Sequence, residues 1–168
     1  ACNLCHLDKK LAWTGDHLEK WFGQKNPSLP AVAEGVSHLA RLALMGDAGQ
    51  RALVAWHLSW PPALAISQTN WVIPILGQML DDPYAAVRCV AERSLKQLSS
   101  IIPAGYDYTI EPKNRPPMRA AVWSAWEEEN KAGSANLNEL LITKGRIDRE
   151  RYDAILKQRD ERAVRLRE

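Results

Sequence analysis

The sequence lacks several features that would point to common classes of protein. No apolar run approaches the roughly 20 residues that a membrane-spanning helix needs, so no such helix is predicted. The 22 lysines and arginines are mixed with 20 aspartates and glutamates, and the net charge of +2 is too small to suggest a nucleic-acid partner. No catalytic triad, phosphate-cradling glycine loop or paired carboxylates indicate a hydrolase or a transferase. Neither an initiator methionine nor a signal peptide is visible, so we expect a mature fragment or the C-terminal portion of a longer protein.

The residues that are present are typical of a globular domain. The chain has 168 residues, which suits one domain, or one domain with an appendage, around a substantial core. Apolar residues make up 46% of the sequence and charged residues 25%, which is ordinary composition. The aromatic residues are unusual, because seven tryptophans accompany a single phenylalanine. Two of these tryptophans follow closely after a pair of cysteines at the start of the chain.

Cys2, Cys5 and His6 form a C-x-x-C-H motif, which is the signature of c-type haem attachment. On one helical turn the two cysteines stand on neighbouring ridges, so their thiols are placed to add to the two vinyl groups of a haem. His6 lies four residues after Cys2 and projects from the same face, where its imidazole can bind the iron as the proximal ligand. The motif therefore predicts one haem c in this chain, and Trp13 and Trp21 offer broad apolar surfaces that would shield it.

The same cysteines allow two other interpretations. A dithiol redox site also uses C-x-x-C, but it usually follows a strand and opens a helix, and no strand pattern precedes Cys2. A zinc site could combine Cys2 and Cys5 with later histidines, although the next donor is His17 and His38 lies far beyond zinc-finger spacing. Binding one small ion through both Cys5 and His6 would also strain the backbone. These two interpretations stay open beside haem c.

His17 is a second candidate for binding iron. Thr14–Asp16 is predicted to separate two helices, because Gly15 can end one helix and Asp16 can cap the next. On one straight helix His6 and His17 would lie about 16 Å apart, given a rise of roughly 1.5 Å per residue. Two axial imidazoles place their nitrogens only about 4 Å apart, given metal–nitrogen bonds of roughly 2 Å. His17 is therefore expected to bind the same iron if the chain folds back at this break, and otherwise a second haem or no metal.

Residues 29–101 are predicted to form stacked helical hairpins, which makes the fold class all-α. Apolar residues recur at helical spacing in four stretches: AVAEGVSHLARLAL, AGQRALVAWHLSW, NWVIPILGQMLDD and YAAVRCVAERSLKQL. Asp47 is expected to cap the second helix and Trp60-Pro61-Pro62 to end it, while Pro74 should kink or start the third. Asp47 and Asp82 lie 35 residues apart in equivalent turns, a period that indicates a repeated hairpin.

The second half of this region resembles a HEAT repeat. The resemblance is carried by LDDPYAAVR, from Leu80 to Arg88, and by the apolar ladder that continues it. It is good over residues 70–98 and loose over residues 30–60. The family resemblance implies a packed scaffold whose surface or edge docks partners. It also implies structural rather than catalytic roles for Asp82 and Arg88.

The C-terminal third, residues 102–168, is predicted to hold an extended crossing segment and two helices. IIPAGYDYTIEPKNRPP is rich in turn residues and is expected to cross the scaffold in an extended form. MRAAVWSAWEEENKAG is predicted as a helix that turns Trp123 and Trp126 inward and stops at Gly133. ITKGRIDRERYDAILKQRDE is predicted as a surface helix with one apolar face and one highly charged face.

The layout of the whole chain resembles the C-terminal portion of multihaem c-type cytochromes that carry HEAT repeats. Its sharp motif is ACNLCHLDKKLAWTGDHLEKW, and the HEAT-like pair and a closing RDERAVRLRE follow. On this basis residues 1–28 are a haem c attachment segment, residues 29–101 HEAT-like repeats and residues 102–168 a C-terminal extension. The resemblance implies an exported bacterial protein, periplasmic or extracellular, with further haem domains upstream. It implies an electron carrier between redox protein partners rather than an enzyme.

Two other functions stay open on the sequence alone. One is a HEAT-like interaction module whose Cys/His cluster holds zinc or is purely structural. The other is a catalytic haem whose sixth iron site is open to a small molecule such as a nitrogen oxide or a peroxide. The second of these requires that His17 does not bind the iron.

Overall fold

A computed structural model of the chain describes residues 2–131 and 137–162. Most of these residues are helical, as the apolar periodicity predicts, and one small sheet accompanies the helices. The predicted helix stop at Gly133 lies outside the described residues. In the described part of the chain the α-helices are α1 (Leu11–Phe22), α2 (Ala31–Gly35), α3 (His38–Met45), α4 (Ala48–His57), α5 (Pro61–Ser67), α6 (Val72–Met79), α7 (Ala85–Leu98), α8 (Arg115–Glu129) and α9 (Arg149–Leu156). Single turns of 3-10 helix cover Cys2–Leu4, Pro112–Asn114 and Asn138–Leu140, and the sheet pairs β1 (Ile142–Thr143) with β2 (Arg146–Ile147).

Two helical hairpins form the centre of the fold. α3 packs against α4, α6 packs against α7, and α4 lies alongside α7 in the most extensive contact between helices. The apolar stripes that the sequence predicts face each other between these helices. Leu39, Val54, Leu76 and Leu95 are each at most 1% exposed, one from each of the four helices. Burial of these stripes is what holds such short helices in place, because isolated helices of 8 to 14 residues are marginal in water.

The helix boundaries follow the predicted capping in two places and depart from it in a third. Asp47 caps α4 as predicted, since its carboxylate accepts a hydrogen bond from the Gln50 backbone N–H at 2.8 Å. Pro74 lies at the third position of α6, where a helix needs no N–H donor, so α6 begins beside it as expected. The first predicted helix is divided into α2 and α3, because the Ser37 hydroxyl accepts from the Ala40 N–H and starts a new helix there.

α5 is a helix that the sequence analysis did not predict. The residues before the two prolines do end α4, which stops at His57. Pro61 then occupies the first position of a new helix, where its fixed φ is favourable and its missing N–H costs nothing. α5 buries Ala63 and Leu64 in the core and ends at Ser67. This short helix brings Ser67 to the N-terminal cysteine motif.

A buried ion pair joins the two hairpins. Arg51 on α4 is fully buried, and its guanidinium donates to both carboxylate oxygens of Asp82, at 2.6 and 3.1 Å. Arg51 also donates to the backbone carbonyl of Gly46. Arg88 donates to the carbonyls of Asp82 and Tyr108, both at 2.7 Å. Asp82 and Arg88 therefore both make buried contacts within the scaffold.

The segment after α7 crosses the second hairpin and leads into α8. Tyr106 is buried and its hydroxyl donates to the Leu80 carbonyl at 2.9 Å. α8 packs against α6, and Trp123 and Trp126 are 5% and 2% exposed, which confirms that they face inward. The Trp123 ring N–H donates to the Pro74 carbonyl at 2.9 Å, so the indole is satisfied as well as buried.

The stretch ITKGRIDRERYDAILKQRDE is not one helix. Its first six residues form the β1–β2 hairpin, in which Ile142 pairs with Ile147. Lys144 and Gly145 have φ values of 51° and 70°, and two residues with positive φ make the turn of a two-residue hairpin. Asp148 then accepts a hydrogen bond from the Arg151 N–H and starts α9. The prediction of a helix was correct for α9 alone, and the all-α class holds apart from this small sheet.

All three predicted segments contribute to one hydrophobic core. Leu7 comes from the N-terminal segment, Leu58 from the hairpins and Tyr152 from α9, and each is at most 1% exposed. Within the described ranges, no helix combines the length and the apolar character that crossing a membrane requires.

Candidate functional site

The C-x-x-C-H motif forms a single helical turn. The Cys2 carbonyl accepts hydrogen bonds from the Cys5 N–H at 3.1 Å and from the His6 N–H at 2.9 Å. The two thiols are free and half-buried, and the His6 ring is half-buried beside them. The motif therefore has the local form that lets two thiols and one imidazole engage the same flat ligand.

Asn3 holds this turn in place from within the motif. Its side chain is 4% exposed, and its amide donates to the carbonyls of Lys9 and Lys10 at 2.9 and 3.3 Å. Its amide oxygen accepts from the Thr14 hydroxyl at 2.6 Å. The side chain thus links the motif to the first turn of α1 and fixes the reversal of the chain between them.

Ser67 at the end of α5 holds the other side of the same turn. Its hydroxyl donates to the Cys5 carbonyl at 3.0 Å and accepts from the Leu7 N–H at 2.9 Å. Leu7 itself is fully buried in the core. Asn3 and Ser67 were missed by sequence reasoning, since Asn3 stands at a spacer position of the motif and Ser67 lies 60 residues from its partner Leu7.

Replacing Asn3 with alanine should loosen the motif. The substitution removes one donor from the Lys9 and Lys10 carbonyls and the acceptor of the Thr14 hydroxyl, and we expect a loss of about 1–3 kcal/mol of unfolding free energy. Urea denaturation of Asn3→Ala beside Asn114→Ala tests this, because Asn114 is exposed and its side chain makes no cap bond. Equal stability of the two variants would contradict the role given to Asn3.

A row of four rings begins with His6 of the motif and continues along α1 with Trp13, His17 and Trp21. The ring centroids of His6 and Trp13 are 4.7 Å apart, those of Trp13 and His17 are 4.2 Å apart, and those of His17 and Trp21 are 4.9 Å apart. No residue of α1 is buried, and Trp21 is 59% exposed. The structure therefore brings the predicted site residues His6, Trp13, His17 and Trp21 together on a surface that is open to solvent.

The predicted helix break at Thr14–Asp16 is wrong. These residues lie inside α1, which runs on to Phe22 and ends at Gly23 with a left-handed φ of 64°. Gly15 serves a different purpose, because a Cβ there would come within 2.1 Å of the Asn26 amide oxygen. The chain folds back before α1 instead of within it. His6 therefore contacts Trp13 from the motif, whereas His17 contacts Trp13 from the next turn of α1.

A hydrogen bond fixes the tautomer of His17. Its Nδ1 lies 2.8 Å from the Trp13 carbonyl oxygen. A carbonyl can only accept, so Nδ1 donates its N–H, and in the neutral imidazole the lone pair is on Nε2. A backbone carbonyl on Nδ1 is the usual outer partner of a histidine that binds metal through Nε2. The ring of His17 is therefore oriented with Nε2 as the nitrogen available to a metal.

The donor set fits a haem better than a bare ion. Tetrahedral zinc takes four protein ligands in structural sites and three in catalytic sites. The described residues contain no group of three or more His, Cys, Asp or Glu side chains placed to hold one metal ion. A haem needs only one or two axial ligands besides the thiols that tether it, and flat aromatic surfaces such as Trp13 and Trp21 can lie against its ring.

His57 connects the hairpins to the motif. It is 8% exposed and packs edge-on against Trp56, with ring centroids 4.9 Å apart. Burial lowers the pKa of His57 below its usual value of 6.5, and a hydrogen bond to the Leu4 backbone opposes this effect. Leu4 lies between the two cysteines, so this interaction brings His57 close to the motif. The stretch AWHLSW contains no signal for that contact.

The lowered pKa of His57 predicts a pH-dependent stability. A histidine with a depressed folded-state pKa binds fewer protons folded than unfolded, so its stabilisation is complete above about pH 6.5 and is lost as the pH falls through the folded pKa. We expect the unfolding free energy to decrease between about pH 7.5 and 5, and to decrease less in His57→Gln. His38, whose pKa burial also lowers, provides a second variant, His38→Gln. Identical slopes for His57→Gln and the wild type would refute this.

Comparison of the chain with protein-family models, with curated proteins and with solved structures finds no match.

Proposed function

We propose that this chain is an electron-transfer domain of a c-type cytochrome, with one haem bound covalently through Cys2 and Cys5. The observation that carries the proposal is the row of His6, Trp13, His17 and Trp21 beside a C-x-x-C-H turn. A haem bound there would supply one-electron transfer at its iron. The remaining roles belong to the side chains of this chain.

The two thiols tether the group. Each adds its S–H across one vinyl C=C, which forms a thioether and releases nothing. The half-buried positions of Cys2 and Cys5 on one turn leave both sulfurs reachable. Asn3 and Ser67 hold that turn to the scaffold, so the tethered group is held at a fixed place on the protein surface.

The two imidazoles are the proposed axial ligands. His6 would bind the iron, because it belongs to the motif, and the neutral His17 ring would offer Nε2 as the second ligand atom. Two histidines favour a lower reduction potential than a histidine and a methionine. Trp13, which is half-buried, and Trp21, which is exposed, would cover the ring faces and exclude water.

The wider setting is also a proposal. The paired hairpins would be HEAT-like repeats that serve as a scaffold for the attachment segment. The resemblance to multihaem cytochromes implies a protein of the periplasm or the cell exterior, with further haems upstream and redox proteins as partners. The buried ion pair between Arg51 and Asp82 supports the repeat interpretation, because it joins one hairpin to the next as expected of stacked repeats.

The mass of the intact chain tests the proposal. Produced in a bacterial host that matures c-type cytochromes, the chain should gain the mass of one haem, keep its colour after acid–acetone extraction and show a sharp reduced α-band. Cys2→Ala/Cys5→Ala is the matched control and should lose all three properties. A colourless wild-type chain with no added mass would overturn the proposal, and stoichiometric zinc would favour an interaction module instead.

One observation favours a catalytic haem as the second candidate. The Trp13 ring contacts both the His6 and the His17 rings, whereas no direct contact joins the two imidazoles among the ring pairs of the row. If Trp13 stays in this place, His17 does not bind the iron that His6 binds. The sixth site would then be open to a small molecule such as a nitrogen oxide or a peroxide.

A further inference from the structure

A second surface of the molecule has the shape of a binding groove. Two adjoining cavities of about 520 Å³ each lie where α4, α5 and α7 meet, and Trp56, Ser59 and Gln97 line both. Leu53 and Trp56 lie one helical turn apart on α4 and are 52% and 50% exposed. Large apolar side chains beside a concave surface are typical of an interaction site. We name this surface the Trp56 groove.

The floor of the Trp56 groove is rigid. The Ser59 hydroxyl donates to the Ser94 hydroxyl at 2.9 Å, and Ser94 donates to the Ala55 carbonyl at 2.7 Å. These bonds join α4 to α7 beneath the groove. Trp56 stacks on Trp60, with ring centroids 6.0 Å apart and planes 23° from parallel. A preformed surface of this kind binds with little loss of conformational freedom.

The charge of the Trp56 groove is positive. Arg93 and Lys96 line it, and the described residues that line it include no carboxylate. Arg93 is exposed and has no ion-pair partner among the described residues, whereas Lys96 is paired with Glu92. A complementary partner therefore presents aspartate or glutamate at this edge.

We propose that the Trp56 groove docks a segment of a partner protein that carries an apolar anchor flanked by carboxylates. The anchor packs against Trp56 and Leu53, and the carboxylates lie beside Arg93 and Lys96. Tryptophan and arginine are the residue types that most often dominate the binding energy of an interface. One docked segment would thus cover Leu53 and Trp56 and pair with Arg93.

The Trp56 groove lies next to the cysteine motif. His57 packs edge-on against both Trp56 and Trp60, with ring centroids 4.9 and 5.8 Å apart, and also interacts with the Leu4 backbone. A partner docked in the groove would be separated from the motif by one layer of side chains. The docking surface depends only on its own contacts, and only its use for electron exchange rests on the proposed function.

Selection from a library of random dodecapeptides displayed on phage tests the docking surface. We expect the full chain to select peptides with an apolar residue flanked by Asp or Glu. The selected peptides should bind Trp56→Ala and Arg93→Glu at least tenfold more weakly than the wild type. Ile66→Ala is the matched control, because Ile66 is 56% exposed on α5 and lies outside the groove, and it should bind the peptides unchanged.

The same selection distinguishes this inference from the proposed function. Cys2→Ala/Cys5→Ala, which cannot carry a tethered haem, should select the same peptides, so absence of haem would leave the docking result intact. Three results would overturn the inference: enrichment of basic peptides, no enrichment at all, or selected peptides that bind Trp56→Ala and Arg93→Glu as tightly as the wild type. Self-association of the wild type that Trp56→Ala abolishes, seen by light scattering, would also overturn it, because a second copy would then occupy the groove.

Discussion

Arg51→Met is expected to lower the free energy of unfolding by about 3–5 kcal/mol, the cost of leaving a buried charge without its partner. Arg51 is 0% exposed and Asp82 is 3% exposed, so water cannot replace the lost contacts. The variant also removes the donor to the Gly46 carbonyl and to the Asp160 carbonyl. Because the pair joins α4 to the turn before α7, both hairpins should lose stability together. Urea denaturation followed by circular dichroism measures the effect.

The matched control is Lys113→Met. Lys113 is also paired with a carboxylate, Glu111, but the two side chains are 77% and 67% exposed. An exposed pair contributes about 0–1 kcal/mol, so this variant should be close to the wild type. Adding Asp82→Leu to Arg51→Met should recover part of the loss, because no unpaired buried charge remains. A loss below about 1 kcal/mol for Arg51→Met would show that the pair does not hold the hairpins together.

His17→Gln is expected to open the iron site of the haem-loaded chain. If His17 is the second axial ligand, the wild type has no free position, and reduced protein should not bind carbon monoxide. The variant keeps Cys2, Cys5 and His6, so its haem content should equal that of the wild type. It should then bind carbon monoxide stoichiometrically, a change from none to full occupancy that absorption spectroscopy measures directly.

His38→Gln serves as the control for this substitution, since His38 lies on α3 and belongs to no ring contact of the row. Its spectrum should match that of the wild type. Carbon monoxide binding by the wild type itself would assign the open-site alternative, in which Trp13 keeps His17 away from the iron that His6 binds. Lack of binding by both the wild type and His17→Gln would show that the second ligand is another residue.

The parts of the fold that sequence predicted are those that neighbouring residues determine. The Asp47 cap, the start of α6 near Pro74 and the inward face of α8 all follow from spacing and local hydrogen bonding. A helix end is predicted at Gly15 because glycine often ends a helix. In the structure its missing side chain instead lets the Asn26 side chain approach α1. That contact joins residues 11 positions apart, and no local pattern contains it.

The candidate site divides in the same way. Cys2, Cys5 and His6 can be identified from their sequence motif. The turn that they form is stabilised by hydrogen bonds of its own backbone. Two residues from other helices lie beside that turn, His57 of α4 and Ser67 of α5. Only the packing of the hairpins places them there. The identity of the bound group stays a prediction, because geometry of the chain fixes the donors and not what they hold.

The shallow seating of α1 has a consequence for the motion of this helix. A helix without buried residues can detach at small cost, while α7 remains closed around Val87 and Leu95. Amide protons of α1 should then exchange with deuterium far sooner than those of α7. The proposed haem would then lie against a helix that opens locally while the rest of the molecule stays folded.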